Sequence, residues 1–171
     1  MLTVRNVIFV SLMSLSVLQS GVAWSLAKKP SSQDVSVLNQ SSSSSCEVVI
    51  EKFNKEKLKG QINVDQLVDI IRSLNANNQL PNYFITKKRA NEFGWRPGME
   101  FNKIDELRGK SIGGDKFGNF EKRLPLGQWQ EADLDYRGKK RNAKRIVFNR
   151  EGERYVTIDH YESFYQVPAC K

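Results

Sequence analysis

Histidine is almost absent from this chain of 171 residues, which contains a single one, His160, between Asp159 and Tyr161. Histidine is the side chain whose ordinary pKa lies near neutrality, so a protein that transfers protons at neutral pH is expected to use it. A lone histidine is more often structural than catalytic, so a role for His160 depends on the residues that accompany it. Those residues are Glu131, in a strand-like run, and a dense basic stretch over residues 137–145.

A long apolar run is also missing. The apolar stretch over residues 7–17 is too short for a convincing membrane span. It follows Arg5 and precedes small residues suited to cleavage at Ala23 or Ala27, which is typical of a secretory signal over residues 1–27. We therefore expect a secreted protein, extracellular or periplasmic, with no membrane contact after cleavage; an uncleaved anchor is the alternative.

Cysteine is limited to two residues, Cys46 and Cys170, at the edges of the region expected to fold. This position argues against a catalytic cysteine. Both residues remain after removal of the signal, and an oxidising compartment favours a disulfide between them. The bridge would close a loop of more than a hundred residues, for which the chain-entropy model gives roughly 4–5 kcal/mol of stabilisation.

Apolar residues are scarce between residues 28 and 45, a stretch rich in Ser, Lys, Gln and Asn. Such a segment cannot form a packed core, so we predict a flexible linker there. Residues 46–171 are then expected to form one domain, and they contain no internal repeat. The formal net charge of +8 favours a polyanionic partner, namely nucleic acid, anionic lipid or an acidic protein, although a solvated basic face is equally compatible.

The apolar periodicity changes at Gly109 from helical to strand-like. A helix is predicted to begin after Asn63 or Asp65 and to end within residues 75–79, because its apolar residues recur every three or four positions. Shorter helices are predicted over residues 87–93, where Thr86 is the N-cap, and 103–107. Strands are predicted over residues 110–115, 128–136, 144–149, 154–159 and 164–167. This order indicates an α+β domain with N-terminal helices packed on one face of a C-terminal antiparallel β-sheet.

The strand predicted over residues 128–136 alternates in character. Its two faces carry Ala132, Leu134 and Tyr136 on one side and Glu131, Asp133 and Asp135 on the other. In the next strand, Arg145 falls opposite the apolar Ile146. A lone carboxylate such as Glu131 on the face away from the helices indicates a polar cleft.

Four short motifs carry a resemblance to a known family. They are Lys110-Ser-Ile-Gly-Gly-Asp115, Trp129-Gln-Glu-Ala-Asp133, Arg141-Asn-Ala-Lys-Arg145 and Asp159-His-Tyr161. In this order and spacing they resemble the signature of the barnase family of secreted bacterial guanyl-preferring ribonucleases, over residues 80–164. Any one motif alone would be weak. The resemblance implies the microbial ribonuclease fold, a monomer that acts on single-stranded RNA, and no metal or other cofactor.

The resemblance also implies a catalytic set. RNA cleavage by transphosphorylation needs a base for the proton of the 2′-hydroxyl, an acid for the departing 5′-oxygen and positive charge at the phosphoryl oxygens. Glu131 matches the base and His160 the acid. Lys87, Arg141 and Arg145 match the phosphate-contacting cations. Arg145 is expected to hold the Glu131 carboxylate ionised; a simple surface ion pair between them is the alternative.

Base recognition is expected in residues 117–121. In the family this loop offers backbone N–H groups to the guanine carbonyl, while its glutamate accepts from the N–H donors of the base. Tyr161 is expected beside the base or the scissile phosphate, where its ring can stack. Asp133 matches a carboxylate that pairs with the arginines and aims them. The implied substrate-binding set is Phe117, Gly118, Asn119, Glu121 and Tyr161.

Two positions of this loop depart from the family pattern. Phe120 stands where better-known members carry arginine, and Gly118 stands where they carry serine. Loss of the arginine removes a cation beside the base, which should weaken attraction to RNA and to an acidic inhibitor and relax base preference. Hydrophobic anchoring of the loop is the alternative role for Phe117 and Phe120.

The sequence therefore predicts a secreted, metal-independent endoribonuclease that cuts single-stranded RNA 3′ to guanosine through a 2′,3′-cyclic phosphate. Single strands are expected because the Watson–Crick edge of guanine must be free. A small acidic inhibitor of the barstar type is a possible partner, since it could mimic phosphate charge in a basic cleft. Two alternatives remain open: a non-catalytic basic RNA-binding module, and a toxin that acts on a protein target.

Overall fold

The computed structural model describes residues 45–171. The predicted signal over residues 1–27 and nearly all of the predicted linker lie outside the described residues. The helices are α1 (Cys46–Lys57), α2 (Val64–Asn77) and α3 (Lys87–Glu92). The strands are β1 (Phe84–Ile85), β2 (Ser111–Phe117), β3 (Trp129–Asp133), β4 (Arg145–Phe148), β5 (Arg154–Thr157) and β6 (Tyr165–Gln166). Within these residues, no helix has both the length and the apolar character to cross a membrane.

The strands form one six-stranded sheet in the order β1-β2-β3-β4-β5-β6. The pairs from β2 to β6 are antiparallel, as predicted, whereas β1 pairs with β2 in parallel. The sheet is therefore mixed. Strand β1 was not predicted, because two residues are too few to show an alternation. N-terminal helices with a C-terminal sheet confirm the predicted α+β class.

Helix α2 shows how local sequence signals define an element. The side chain of Asn63 accepts a hydrogen bond from the backbone N–H of Gln66, so Asn63 rather than Asp65 is the N-cap. Asn78 ends the helix in the left-handed conformation, with φ of 56°. The four apolar residues of the predicted helical face, Leu67, Ile70, Ile71 and Leu74, are buried. Each contributes roughly 1.5–3 kcal/mol by removal from water.

The prediction of a helix over residues 103–107 was wrong. Two short 3-10 turns, Phe101–Lys103 and Asp105–Leu107, occupy this region. Between them Ile104 has an extended backbone, with φ of −123° and ψ of 119°, which no helix accommodates. Conversely, α1 was not predicted as a helix, although its buried Ile50 and Phe53 lie three residues apart.

Helices α1 and α2 pack on one face of the sheet. The sheet contributes Ala132, Ile146, Phe148 and Val156 to this core, and Leu134, the residue after β3, joins them. Tyr136 does not share that face, contrary to expectation, because β3 ends at Asp133 and the positive φ of Asp135, 56°, redirects the backbone. Tyr136 packs instead against Phe101 in a second cluster. The opposite face of β3 and β4 carries Glu131, Asp133 and Arg145, as the alternation predicted.

A disulfide joins Cys46, the first residue of α1, to Cys170, with 4.9 Å between the two Cα atoms. The amide of Asn75 donates a hydrogen bond to the carbonyl of Cys170, which fixes the chain end against α2. The pairing predicted from the sequence is present. The disulfide links the first residue of α1 to the C-terminal end of the chain, on the side of the sheet that the helices cover.

Candidate active site

Glu131 is a buried carboxylate in β3, with 8% of its surface exposed. The ammonium of Lys87 donates a 2.8 Å hydrogen bond to its Oε1, and the hydroxyl of Tyr161 donates to its Oε2. Burial alone would raise the pKa of Glu131, but hydrogen bonds from Lys87 and Tyr161 and the positive charges of Lys87 and Arg145 together lower it. The carboxylate is therefore ionised at neutral pH and can accept a proton.

Lys87 is the first residue of α3, and the start of this helix lies where the lysine side chain can contact Glu131. The hydroxyl of Thr86 caps the helix by accepting from the backbone N–H of Arg89. The carboxylate of Asp115 accepts from the backbone N–H of Lys87, at 3.0 and 3.2 Å. A cation in the first turn opposes the helix dipole, and the negative charge of Asp115 compensates for it. Asp115 is therefore a positioning residue that sequence reasoning missed, although it ends one of the recognised motifs.

Asp133 lies between two arginines on the same face of the sheet. Its carboxylate accepts two hydrogen bonds from Arg141, both of 2.6 Å, and lies 2.9 Å from Nε of Arg145. The hydrogen bonds to Asp133 raise the pKa of Arg141 despite its partial burial. Arg145 is thus oriented by Asp133, and Lys87 rather than Arg145 is the direct ion-pair partner of Glu131. Arg145 acts on Glu131 through its charge, more weakly than Lys87 does.

His160 lies in a turn just after β5, with an exposed side chain. Its backbone N–H donates to the carbonyl of Ala143, which places the histidine beside the arginine-bearing loop. The His160 and Tyr161 rings lie 4.9 Å apart, and the Tyr161 hydroxyl binds Glu131. The carboxylate and the imidazole are therefore connected through a single intervening side chain.

The turn that carries His160 has an unusual backbone. His160 and Tyr161 both have positive φ, of 60° and 75°, which costs roughly 1–3 kcal/mol for each such residue. Asp159 holds the turn by accepting from the hydroxyl of Thr157 and the backbone N–H of Ser163. Burial would raise the pKa of Asp159, but its hydrogen bonds with Ser163 and Thr157 lower it. The positive φ of the two residues persists because these hydrogen bonds fix the turn.

A cavity of about 310 Å³ adjoins Glu131 and Tyr161. Residues 116–121 form much of its wall, together with Arg123 and Phe164. Every residue of the predicted substrate-binding set lines it, so the fold brings the loop over residues 117–121 and the carboxylate of Glu131 to one cavity. His160 does not line the cavity and lies next to it through its contact with Tyr161.

Within the loop over residues 117–121, Asn119 stabilises the local backbone. Its amide donates to the carbonyl of Leu124 and its side-chain oxygen accepts from the N–H of Leu124. Asn119 has φ of 45°, a conformation that asparagine tolerates better than most residues. Phe117 packs 5.1 Å from the ring of Tyr161 and 6.0 Å from that of Phe164, which favours the anchoring role considered for it.

Residues 71–168 match the family model described as ribonuclease. The chain belongs to this ribonuclease family. It is 41% identical over 92 residues to a ribonuclease of Heyndrickxia coagulans, covering 52% of this chain and 84% of that one. Ribonucleases of Bacillus intermedius and Bacillus pumilus show the same identity over 92 residues, which span 56% of their length. The predicted barnase-like bacterial ribonuclease is confirmed, with RNA as the substrate that the family implies.

The loop over residues 117–121 of this ribonuclease has an unpredicted partner in Arg123. Its Nε donates a 2.6 Å hydrogen bond to the carboxylate of Glu121. Its guanidinium also donates to the backbone carbonyl of Glu162 and lies 3.6 Å from the Glu162 carboxylate. Arg123 thereby joins the loop over residues 117–121 to the segment that follows His160. A charged residue two positions after Glu121 was the only sequence signal for this contact.

Glu131 and Asp133 are each paired with cations. Within residues 45–171, no group of three His, Cys, Asp or Glu side chains is arranged to hold a metal ion. The charged residues that line the cavity are Lys116, Glu121, Arg123 and Glu131. Lys87 pairs with Glu131, and Asp133 holds two arginines on the same face of the sheet. This arrangement provides a proton acceptor and a set of fixed positive charges.

Proposed function

We propose that this ribonuclease is a metal-independent endoribonuclease that cleaves single-stranded RNA 3′ to guanosine through a 2′,3′-cyclic phosphate. The observation that carries the proposal is that Glu131 lines the same cavity as the loop that contains Glu121. A proton acceptor for the sugar and a hydrogen-bond acceptor for the base thus adjoin one binding site.

In the first step, Glu131 accepts the proton of the ribose 2′-hydroxyl. The 2′-oxygen attacks the phosphorus atom, and the bond from phosphorus to the 5′-oxygen breaks. His160, protonated at the start, gives its proton to that leaving oxygen. The products are a 2′,3′-cyclic phosphate and a free 5′-hydroxyl. DNA lacks the 2′-hydroxyl, so it would bind without being cleaved by this route.

The cations stabilise negative charge that develops on the phosphoryl oxygens. Lys87 is already directed at Glu131, so a phosphate beside that carboxylate would lie near its ammonium. Arginine suits phosphate because its planar fork can bind two oxygens. Asp133 holds Arg141 and Arg145 in place before the substrate arrives, so little reorganisation is needed during the reaction.

In the second step, the two proton-transfer residues exchange roles. His160, now neutral, accepts a proton from water as the water oxygen attacks the cyclic phosphate. The bond from phosphorus to the 2′-oxygen breaks, and Glu131 returns its proton to that oxygen. The product is a 3′-phosphate, and both residues regain their starting protonation states.

Guanine preference is assigned to the loop over residues 117–121. The carboxylate of Glu121 would accept from the ring N–H and the exocyclic amino group of guanine, donors that adenine does not present in the same pattern. Arg123 holds this carboxylate in the free protein, so it orients Glu121 for the base. Because these contacts need the Watson–Crick edge, the substrate is single-stranded.

The proposal includes secretion of the enzyme and its inhibition by a small acidic protein. The Cys46–Cys170 bridge suits an oxidising compartment, extracellular or periplasmic. The net charge of +8 suits a small acidic inhibitor that occupies the cleft of a monomeric enzyme. Such a partner would protect the RNA of the producing cell.

The test is cleavage of the dinucleotide guanylyl-adenosine by the wild type and by Glu131→Ala and His160→Ala. We expect wild type to form guanosine 2′,3′-cyclic phosphate, and each variant to lose about 10²–10⁴-fold or more in rate. Glu151→Ala, an exposed glutamate in the turn after β4, is the matched control and should retain full activity. Absence of cyclic phosphate from wild type would favour a non-catalytic RNA-binding module. Full activity in either catalytic variant would reject the assigned roles.

A further inference from the structure

Two large apolar side chains of the loop between β2 and β3 are almost fully exposed. Phe120 is 94% exposed and Leu126 is 93% exposed. Single exposed apolar residues are common and need no explanation by themselves. The two differ in position, because Phe120 lines the cavity beside Glu131 and Leu126 does not. Phe120 is therefore an aromatic group that faces water at the rim of the proposed base site.

Gly118 leaves room for the Phe120 ring. The backbone of Gly118 does not have a positive φ, so its conformation alone does not require glycine. A Cβ at Gly118 would lie 2.2 Å from Cε2 of Phe120, 2.6 Å from Cζ and 2.8 Å from Cδ2. The ring thus occupies the space that a side chain at residue 118 would need. The two departures from the family pattern form one arrangement in which the glycine accommodates the phenylalanine.

We propose that Phe120, seated on Gly118, is a stacking wall for the base bound in this cavity and therefore a substrate-binding residue. The proposal rests on the proposed function and assigns the affinity of the site to two different kinds of contact. Aromatic stacking favours any base, because every base has a π-face. Hydrogen bonds to Glu121 depend on the donors of the base. Phe120 therefore increases affinity for guanine and adenine alike, whereas Glu121 provides the preference between them.

The experiment measures binding of guanosine 3′-monophosphate and adenosine 3′-monophosphate by calorimetry. Phe120→Ala should weaken both by a similar factor, about 5- to 150-fold for the loss of one stacked base, so that the ratio of the two affinities stays constant. Phe120→Leu, which keeps an apolar side chain but has no π-face, should lose most of the same affinity. Leu126→Ala is the matched control and should bind as wild type does.

Gly118→Ala tests the seating of the ring. The added methyl group must displace the Phe120 ring, so this variant should lose nearly as much affinity as Phe120→Ala. In the Phe120→Ala background, the same substitution should change affinity less than twofold, because the ring is already absent. If Gly118→Ala lowers nucleotide affinity equally in wild type and in Phe120→Ala, the proposed placement of the Phe120 ring over Gly118 is wrong.

The binding measurements separate a wrong role for Phe120 from a wrong proposed function. Wild-type binding of guanosine 3′-monophosphate together with unchanged binding by Phe120→Ala would overturn the stacking wall and leave the enzyme assignment intact. A loss confined to the guanosine nucleotide would also overturn it, because stacking does not select one purine in that way. If wild type binds neither nucleotide, the base site and the stacking wall are both rejected.

Discussion

Lys87 and Glu131 form a 2.8 Å ion pair although they are 44 residues apart in the chain. The lysine begins α3 and the glutamate lies within β3, so the pair exists only because the helix start and the strand meet beside the cavity. The contact offsets the cost of burying a carboxylate and keeps it ionised. In the proposed reaction, the same ammonium would lie near the phosphate.

Removing the ammonium in Lys87→Met should therefore change both the rate and its pH dependence. Burial would then act on Glu131 with less opposition, so the pKa of the carboxyl should rise and the acid limb of kcat/KM should move to higher pH. The rate at neutral pH should fall about 10²–10³-fold, as for loss of one preorganised donor. Steady-state kinetics across pH checks this. Lys88→Met, an exposed neighbour, is the control; an unmoved acid limb would contradict the role of Lys87.

Asp133→Asn should destabilise the fold as well as reduce activity. The substitution leaves Arg145, which is 2% exposed, without its partner, and an uncompensated buried charge costs about 3–5 kcal/mol. Urea unfolding gives the free energy directly. The control is Asp105→Asn, which removes an exposed pair with Arg108 and should cost no more than about 1 kcal/mol. Equal effects of the two substitutions would show that Asp133 does not anchor the arginines.

The stability of the fold should depend on pH through Glu131. Its carboxyl has a lower pKa in the folded protein than the ordinary value of 4.5, so the unfolded chain binds the proton more readily. The stabilisation that comes from the ionised Glu131 carboxylate is complete above pH 4.5. It disappears as the pH falls through the lower pKa of the folded state. The difference in unfolding free energy between wild type and Glu131→Gln should therefore shrink on acidification below that value. Glu151→Gln should show no comparable trend; a difference that grows in acid would contradict the sign.

Removal of the disulfide should lower stability without altering the site. The bridge spans a sequence separation of 124 residues, for which the chain-entropy model gives roughly 4–5 kcal/mol. The Cys46→Ala, Cys170→Ala double variant should lose about that free energy in urea unfolding and retain its activity under conditions where it stays folded. Each single variant should lose a similar amount, because either substitution removes the same bridge. An intact stability in the double variant would show that the bridge adds nothing to the fold.

Several elements could be predicted because their signals are local. Apolar spacing predicted α2, with its N-cap left open between Asn63 and Asp65, and Thr86 predicted the start of α3. Alternation in β3 placed Glu131 on the face away from the helices, since side chains of a strand point to opposite faces in turn. Elements with weak local signals were missed or mistaken, among them the two-residue β1 and the segment interrupted at Ile104.

The sequence by itself determined the order of the motifs, the face on which Glu131 lies and the presence of two cysteines that could pair. Only the tertiary structure decided that Lys87 rather than Arg145 contacts Glu131 and that the ring of Phe120 lies over Gly118. Periodicity reports which side of an element a residue occupies, because that depends on backbone geometry alone. The partner across the cleft depends on how distant elements and loops pack, and no local pattern carries that information.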